Sequence, residues 1–275
     1  MKNVSVLTTL SLIVLFAVSA RADQVTVLGT ADSFAVLGAS AVTNTGATVL
    51  SGNLGVYPGI SITGFPPGSV NNGSTYDGTA TAMTAQHDAL TGYNYLAGLA
   101  PTHTLTGEDL GGMTLTPGVY FFASSAQLTG PLTLNFEDLN NADIVFQIGS
   151  TLTTASGSTV DIINQGMDDN VYYQVGSSAT LGTGTVFQGD ILADASITLT
   201  TGVDITCGSA IALNGAVTLD TNTITNCSTT GSDVTPAETS SVTPEPASLW
   251  LLATGLLGGA GVLRRRLAAV RGGRQ

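Results

Sequence analysis

The middle of this chain lacks positive charge. All seven Lys and Arg residues lie near the two ends, with none between Arg21 and Arg264, whereas 19 Asp and Glu residues give a formal net charge of −12. Nucleic-acid binding needs several cations that replace the counterions of the phosphates, so the central region is excluded from that class of function. Catalysis through a lysine base or an arginine clamp is excluded by the same absence.

Groups for metal binding and acid–base chemistry are also scarce. The chain has two His and two Cys residues, and neither His87 nor His103 has a third ligand at a spacing that suits zinc. The nucleophile-elbow, Cys-x-x-Cys and phosphate-binding glycine motifs do not occur. Asp190 and Asp194 are the best carboxylate pair for a polysaccharide hydrolase on a β-helix, and we favour turn roles for both. The sequence therefore predicts a protein without enzymatic activity, metal or cofactor.

The N-terminal end has the features of a secretory signal peptide. Lys2 precedes an apolar run from Val4 to Val18, and Ala20-Arg21-Ala22 supplies the small residues of a cleavage site. We predict a signal peptide over residues 1–22, so that the mature chain begins near Asp23. A short membrane anchor or a buried strand is the alternative.

The C-terminal end has three parts in order. Pro244-Glu245-Pro246 precedes the apolar segment 247–263, and Arg264, Arg265 and Arg266 follow it. At about 1.5 Å per residue this segment nearly matches the hydrocarbon core of a bilayer, which predicts a separate transmembrane helix with the arginines on the cytoplasmic side. Before it, residues 228–243 are rich in Ser, Thr and Pro, as is typical of a solvated linker.

This end resembles the PEP-CTERM sorting signal of Gram-negative bacteria, and the resemblance covers residues 244–275. It implies recognition by an exosortase, a transient anchor in the inner membrane, cleavage near the Pro-Glu-Pro motif, and export to the cell surface or the medium. A permanent anchor with a single span is the alternative.

The region between the ends repeats itself. The segment from Val145 to Thr153 matches the segment from Tyr172 to Thr180 after a shift of 27 residues, the length of one solenoid coil. Short runs that alternate an aliphatic residue with Thr, Ser or Asp follow, as in strands with one buried side. We predict a parallel β-solenoid over residues 23–227, with an immunoglobulin-like sandwich as the alternative. The predicted inward residues are Leu152, Ala179, Ile197, Leu199, Val217 and Leu219.

One stretch, at about 77–99, has helical periodicity instead. Apolar or bulky residues recur every three or four positions, and Asp77 is placed to cap the start. Gly98 and Pro101 end the pattern. Because an isolated helix of this length is marginal in water, we expect it to pack along one side of the solenoid.

Several motifs resemble the DUF3494 ice-binding protein family, and the resemblance spans about Val27 to Asn226. It implies a right-handed, discontinuous β-solenoid of triangular cross-section, with the N-terminal coil against C-terminal coils and a long helix alongside. It also implies adsorption to ice through one flat face of outward Thr, Ser and Ala. The motifs are Phe34-Ala35-Val36-Leu37-Gly38, Gly52-Asn53-Leu54-Gly55-Val56, Gly64-Phe65-Pro66-Pro67-Gly68, Pro117-Gly118-Val119-Tyr120 and Gly215-Ala216-Val217-Thr218-Leu219-Asp220.

Outward hydroxyl positions of the predicted strands are the candidate ice-binding residues. Neighbouring coils lie about 4.8 Å apart and alternate residues of a strand about 6.7 Å apart, so threonines on this grid present stiff methyl and hydroxyl groups. Acidic side chains should lie elsewhere, since a charge holds water too tightly in the wrong orientation. The candidates are Thr43, Thr45, Thr48, Thr151, Thr153, Ser178, Thr180, Thr198, Thr200 and Thr218.

An extracellular adhesin or an exopolysaccharide-matrix protein on the same fold is the alternative function. Sugar sites usually contain aromatic platforms, but aromatic residues make up 6% of this chain and its single Trp, Trp250, lies in the apolar C-terminal segment. Ice is therefore the preferred ligand and exopolysaccharide the second.

The two cysteines leave no odd thiol in a protein predicted to enter an oxidising compartment. Cys207 and Cys227 are 20 residues apart, close to one short coil, so they can stack within the distance that a disulfide spans. We predict a bond that clamps the strand Thr223–Thr225 onto the preceding coil. Two independent buried thiols are the alternative.

Overall fold

The computed structural model describes residues 26–227. The predicted signal peptide, the linker 228–243 and the sorting signal with its apolar segment 247–263 lie outside the described residues. In the part that is described, no helix has the length and apolar character needed to cross a membrane.

Short strands make up most of this domain. Before the helix, a 3₁₀-helix (Gly29–Ser33) leads into β1 (Phe34–Gly38), β2 (Ala41–Thr45), β3 (Val49–Ser51), β4 (Asn53–Val56), β5 (Ser61–Thr63), β6 (Ser69–Asn71) and β7 (Thr75–Asp77). The helix α1 covers Ala80–Ala97. After it come β8 (His103–Thr104), β9 (Thr114–Leu115), β10 (Gly118–Phe122), β11 (Ala126–Leu128), β12 (Pro131–Asn135), β13 (Asp143–Ile148), β14 (Leu152–Thr154), β15 (Thr159–Ile163), β16 (Asn170–Val175), β17 (Ala179–Leu181), β18 (Val186–Gln188), β19 (Asp190–Ala193), β20 (Ile197–Leu199), β21 (Asp204–Cys207), β22 (Ala210–Ala212), β23 (Val217–Asp220) and β24 (Thr223–Thr225).

These strands form three sheets that the chain visits in turn. Sheet A has the order β7-β4-β1-β22-β19-β16-β13-β10-β8, sheet B the order β11-β14-β17-β20-β23-β2-β5, and sheet C the order β6-β3-β24-β21-β18-β15-β12-β9. A complete coil gives one strand to each sheet, so the sheets are the three sides of a solenoid. The prediction of a mainly β protein with parallel sheets and one helix is confirmed. The sandwich alternative is wrong, because these strands pair in parallel.

The coils are not stacked in chain order. The first coil, β1 to β3, pairs with the last coil, β22 to β24. The second coil lies at one end of the stack, and α1 returns the chain to the other end. With 18 residues the helix is about 27 Å long, and the segment after it covers the rest of the roughly 38 Å that nine strands span. The predicted discontinuity is confirmed, and the right-handed sense stays a prediction.

Aliphatic side chains fill the interior of the solenoid. In β20, Ile197 and Leu199 are buried and Thr198 between them is not, which is the expected alternation. All six predicted inward residues are at most 1% exposed. Full burial of one such side chain stabilises the fold by about 1.5–3 kcal/mol, so each coil adds several of these contributions.

The start of α1 differs from the prediction. Asp77 is still extended and pairs with Val56, so it cannot cap the helix. Thr79 is the cap instead: its hydroxyl accepts a hydrogen bond from the backbone N of Ala82 at 3.3 Å. The helix ends at Ala97, before Gly98, and is therefore shorter at both ends than the predicted 77–99.

Helix α1 covers the outer side of sheet A. Its small buried residues, such as Ala82 and Ala89, belong to one apolar cluster with Leu192 and Ile211 of the sheet. Buried amides fix the position of the helix: Gln86 Nε2 donates to the carbonyl of Ala212 at 3.1 Å. The predicted packing along one side is confirmed, and it removes part of sheet A from contact with solvent.

Both ends of the domain meet where sheet C passes into sheet A. Asn226 Nδ2 donates to the carbonyl oxygens of Asp32 and Phe34 at 2.8 and 3.0 Å. Cys207, at the end of β21, is joined by a disulfide to Cys227, just after β24, and their α-carbons lie 5.1 Å apart. The last strand is therefore held to the preceding coil at the C-terminal end of the described residues.

Candidate functional site

One row of threonines crosses the outer side of sheet B. Parallel pairing places Thr153 opposite Thr180, Thr180 opposite Thr198, and Thr198 opposite Thr218. Thr218 in turn lies opposite Thr43, and Thr43 opposite Thr63. We call these six residues the threonine row: Thr153, Thr180, Thr198, Thr218, Thr43 and Thr63. Gln127 of β11 continues it at one end.

The side chains of the threonine row point away from the core. In β14, β17 and β23 the threonine is exposed between two buried residues. Neighbouring side chains are close to each other, since Thr43 Oγ1 donates to Thr218 Oγ1 at 3.4 Å. The row therefore repeats one methyl and one hydroxyl about every 4.8 Å, the spacing of strands in a sheet.

A second row of small residues runs beside the first, two positions earlier in each strand. Thr151 Oγ1 donates to Ser125 Oγ at 2.8 Å, and Ser178 Oγ accepts from the backbone N of Ser196 at 3.4 Å. Because none of these side chains is longer than threonine, this part of the surface is flat. We call it the flanking row: Ser125, Thr151, Ser178, Ser196, Ala216, Ala41 and Ser61.

The threonine row is stiff for two reasons. A threonine has two heavy atoms on Cβ, which restricts its χ1 angle. The inner strands of sheet B are also paired on both sides, so the backbone beneath them is fixed. Rigid methyl groups exclude water while hydroxyl groups bind it, so the two rows present water with a regular pattern of both.

Nine of the ten candidate ice-binding residues share this side of sheet B. Thr45 and Thr200 lie toward the corner with sheet C, where their hydroxyls donate to the carbonyls of Leu219 and Leu181. The nine are Thr43, Thr45, Thr151, Thr153, Ser178, Thr180, Thr198, Thr200 and Thr218.

Thr48 is the exception, and the prediction that it lies on the surface is wrong. It is fully buried. Its hydroxyl donates to Asn44 Oδ1 and accepts from the backbone N of Asn222 at 3.1 Å. The chain turns after β2, so the alternation that makes Thr43 and Thr45 point outward does not continue to Thr48.

Sequence reasoning missed Thr63 and most of the flanking row. The alternation Ser61-Ile62-Thr63 was a usable signal, but Pro58 and Pro66 stand on either side of it and argue against a strand. In the structure, β5 is an edge strand, where neighbouring prolines are tolerated. Its register against β2 depends on a pairing between coils and not on local sequence.

Acidic residues lie at the margins of this side, against the expectation that all would lie elsewhere: Asp109 pairs with Gln127 at one end of the threonine row, and Asp220 lies at the corner with sheet C. Asp220 follows buried Leu219 in β23 and lies opposite Thr45. Its carboxylate accepts hydrogen bonds from the hydroxyls of Thr201 and Thr221. A negative charge therefore lies at the corner where sheet B turns into sheet C.

Asp190 and Asp194, the candidate carboxylate pair, accept hydrogen bonds from different residues of the neighbouring coil. Asp190 is in sheet A, where it accepts from Ser209 Oγ at 2.7 Å, and loss of solvent around it raises its pKa to about 7. Asp194 accepts from Asn214 Nδ2 of the next coil at 3.0 Å. Among the described residues, no group of three or more His, Cys, Asp and Glu is arranged to hold a metal ion.

Several aromatic residues pack in the interior or against the helix, whereas Tyr95 of α1 is 57% exposed. Tyr120, Phe122, Tyr172 and Tyr173 are all at most 4% exposed. Tyr173 stacks on Phe146 with ring centroids 4.7 Å apart inside the solenoid. These rings cannot form an exposed platform for a sugar.

The fold and this face define a class of protein: a discontinuous parallel β-solenoid with a helix along one side and a flat, threonine-bearing surface on another. The chain belongs to the ice-binding-like family, which matches residues 36–225. Residues 242–266 match the PEP-CTERM protein-sorting motif. Both resemblances noted in the sequence are confirmed.

Known proteins support this assignment along most of the chain. The chain is 55% identical over 243 residues to an ice-binding protein from Nostoc sp. (strain HG1), and the aligned region covers 88% of each protein. The crystal structure of an ice-binding protein from an Antarctic biological consortium matches with a TM-score of 0.68 and 39% identity, over 82% of this chain and 96% of that one. The crystal structure of an ice-binding protein from the Antarctic ascomycete Antarctomyces psychrotrophicus matches with a TM-score of 0.69 and 40% identity, over 72% of this chain and 96% of that one.

Proposed function

We propose that this protein binds ice through the outer side of sheet B. The observation that carries the proposal is the threonine row, six residues held in one register across six coils. The relatives named above are ice-binding proteins, which supports the same ligand for this chain. The family indicates a binding protein, and we propose that the chain has no enzymatic activity.

The chemistry of the two rows suits ordered water. Threonine methyl groups favour water that bonds to itself, while the hydroxyls anchor part of that layer to the protein. A layer held on a grid of about 4.8 by 6.7 Å is fixed in two directions, because strand spacing sets one and strand rise sets the other. Such a layer joins the surface of an ice crystal and blocks further growth where the protein sits.

We further propose that the chain is exported. The sorting motif supports processing by an exosortase in a Gram-negative bacterium, with Pro244, Glu245 and Pro246 as the recognised motif. In this proposal the signal peptide 1–22 directs secretion, and segment 247–263 with Arg264, Arg265 and Arg266 is a transient inner-membrane anchor that is removed. Intact-mass measurement of the secreted protein tests this: a product that keeps the three arginines contradicts removal.

The test of ice binding is the shape of a growing ice crystal in a solution of the protein. The wild type should shape the crystal, and the double variant Thr153→Tyr/Thr180→Tyr should not, because two bulky rings interrupt the threonine row. The control Thr114→Tyr/Thr223→Tyr places the same rings on exposed positions of sheet C and should still shape ice. Unchanged circular dichroism spectra show that all three proteins are folded.

Failure of the wild type to shape ice would overturn the proposal. The adhesin alternative then predicts retention of the protein on exopolysaccharide in a pull-down. If the sheet C control stops shaping ice while the sheet B variant still shapes it, the ice-binding side is sheet C and the proposed side is wrong.

A further inference from the structure

Asp220 lies in β23, two positions after Thr218 of the threonine row. Along β23, Val217 and Leu219 are buried while Thr218 is exposed and Asp220 is partly exposed, so Asp220 lies on the same side as Thr218. Its register partner in the next coil is Thr45. The carboxylate thus occupies a position that carries a threonine in the neighbouring strand.

Nearby hydroxyls satisfy only part of this carboxylate. Asp220 Oδ1 accepts from Thr221 Oγ1 at 3.0 Å, and Oδ2 accepts from Thr201 Oγ1 of the adjacent coil. A carboxylate has about four acceptor positions, so two remain for water. The sequence has no Lys or Arg between Arg21 and Arg264, so no basic side chain of the domain offsets the charge.

A charge at this position works against an ice-like water layer. In ice each water molecule donates two hydrogen bonds and accepts two, whereas an ionised carboxylate only accepts. It therefore turns the hydrogens of its bound water toward itself. Removal of that water on contact with a crystal also costs free energy, because a charged group loses hydration.

We infer that Asp220 limits the strength of ice binding, and that loss of its charge would extend the ice-contacting face toward the corner with sheet C. The inference rests on the proposed function. It identifies a residue of this chain that sets how tightly the face binds its ligand, and it predicts that a substitution on the face increases binding.

The experiment compares Asp220→Asn with Asp161→Asn. Asparagine keeps the size of the side chain and an oxygen acceptor for Thr201 or Thr221 while removing the charge. Asp161 is the matched control, since it is exposed on β15 of sheet C and also accepts from a threonine hydroxyl, that of Thr159 at 3.1 Å. Both variants change the net charge equally, so only the position differs.

The measurement is thermal hysteresis, the gap between the melting and freezing temperatures of an ice crystal, at equal protein concentration. Asp220→Asn should raise it above the wild type, and Asp161→Asn should leave it unchanged. Equal or lower hysteresis for Asp220→Asn, at an unchanged melting temperature of the protein, overturns the inference. If that variant is less stable, Asp220→Ser provides the same comparison, because serine also removes the charge and keeps a hydroxyl, like Thr45 in the neighbouring strand.

Failure of this inference differs from failure of the proposed function. Thr198→Tyr, measured beside the other variants, separates them. Loss of hysteresis in Thr198→Tyr without a gain in Asp220→Asn rejects only the role of Asp220. Full hysteresis in Thr198→Tyr rejects the face itself.

Discussion

Sheets B and C are built from the same coils, yet their outer sides differ. Both sheets have buried aliphatic residues on the inside, such as Ile197 in sheet B and Ile205 in sheet C. On the outside, sheet B has six threonines in register. The matching row of sheet C is mixed: Ser69, Val49, Thr223, Asp204, Val186, Thr159 and Pro131.

This difference separates what the fold needs from what the ligand needs. Sheet C tolerates a charge, a proline and a register shift next to Gln188 on its outer side, and the coils still stack. Folding therefore depends on the inward residues and does not require a uniform exterior. Because sheet C folds without a uniform exterior, folding does not require the row of threonines on sheet B. We attribute that row to the proposed ice binding.

The largest expected effect concerns the buried aliphatic residues that sheets B and C have in common. Ile197→Ala in sheet B and Ile205→Ala in sheet C each remove a fully buried side chain, so each should lower the free energy of unfolding by about 2–5 kcal/mol. Thr198→Ala and Thr223→Ala, on the outer sides, should change it by less than about 0.5 kcal/mol. Denaturant titration measures all four. A large loss for Thr198→Ala would show that the threonine row serves folding after all.

The disulfide at the end of sheet C tests whether stability and ice binding depend on different residues. Replacing Cys207 and Cys227 together by serine should lower the free energy of unfolding by about 3 kcal/mol, because the unfolded chain regains the freedom of the closed loop. Ice shaping should survive, since both cysteines lie away from sheet B. Thiol labelling of the unfolded, unreduced wild type should find no free cysteine, and two labelled cysteines would contradict the bond.

A smaller effect comes from pH and concerns sheet A. Loss of solvent raises the pKa of Asp190 to about 7. Hydrogen bonds from Ser209 lower this pKa in part, and the nearby charge of Asp32 raises it further. In the unfolded chain an Asp titrates near pH 3.9, so the folded state holds the proton to higher pH. Stability should therefore fall as pH rises between about 4 and 7, then level off.

Asp190→Asn is the variant that checks this pH effect. It removes the titrating group, so the melting temperature should change less between about pH 5 and pH 8 than it does in the wild type. Burial also raises the pKa of Asp143 and of Asp204, so some dependence should persist in the variant. An identical change in both proteins would mean that Asp190 does not control the effect.

Much of the fold could be predicted because its signal is local and repeated. Alternation within strands such as Ile197–Leu199, and the repeat of 27 residues, already define inward and outward positions. Features that depend on contacts between distant coils could not be found in this way. Thr63 joins the threonine row through the pairing of β5 with β2, and Thr48 is buried because a corner interrupts the alternation. Asp77 has the chemistry of a cap but is held in a strand by Val56.

The central claim is that sheet B binds ice and sheet C does not. The most direct measurement is the thermal hysteresis of two single variants, Thr198→Tyr and Thr223→Tyr, which place the same ring on the outer side of each sheet. We predict that Thr198→Tyr loses most of the hysteresis and that Thr223→Tyr keeps the wild-type value. Equal loss in both variants, or loss in Thr223→Tyr alone, would contradict the account.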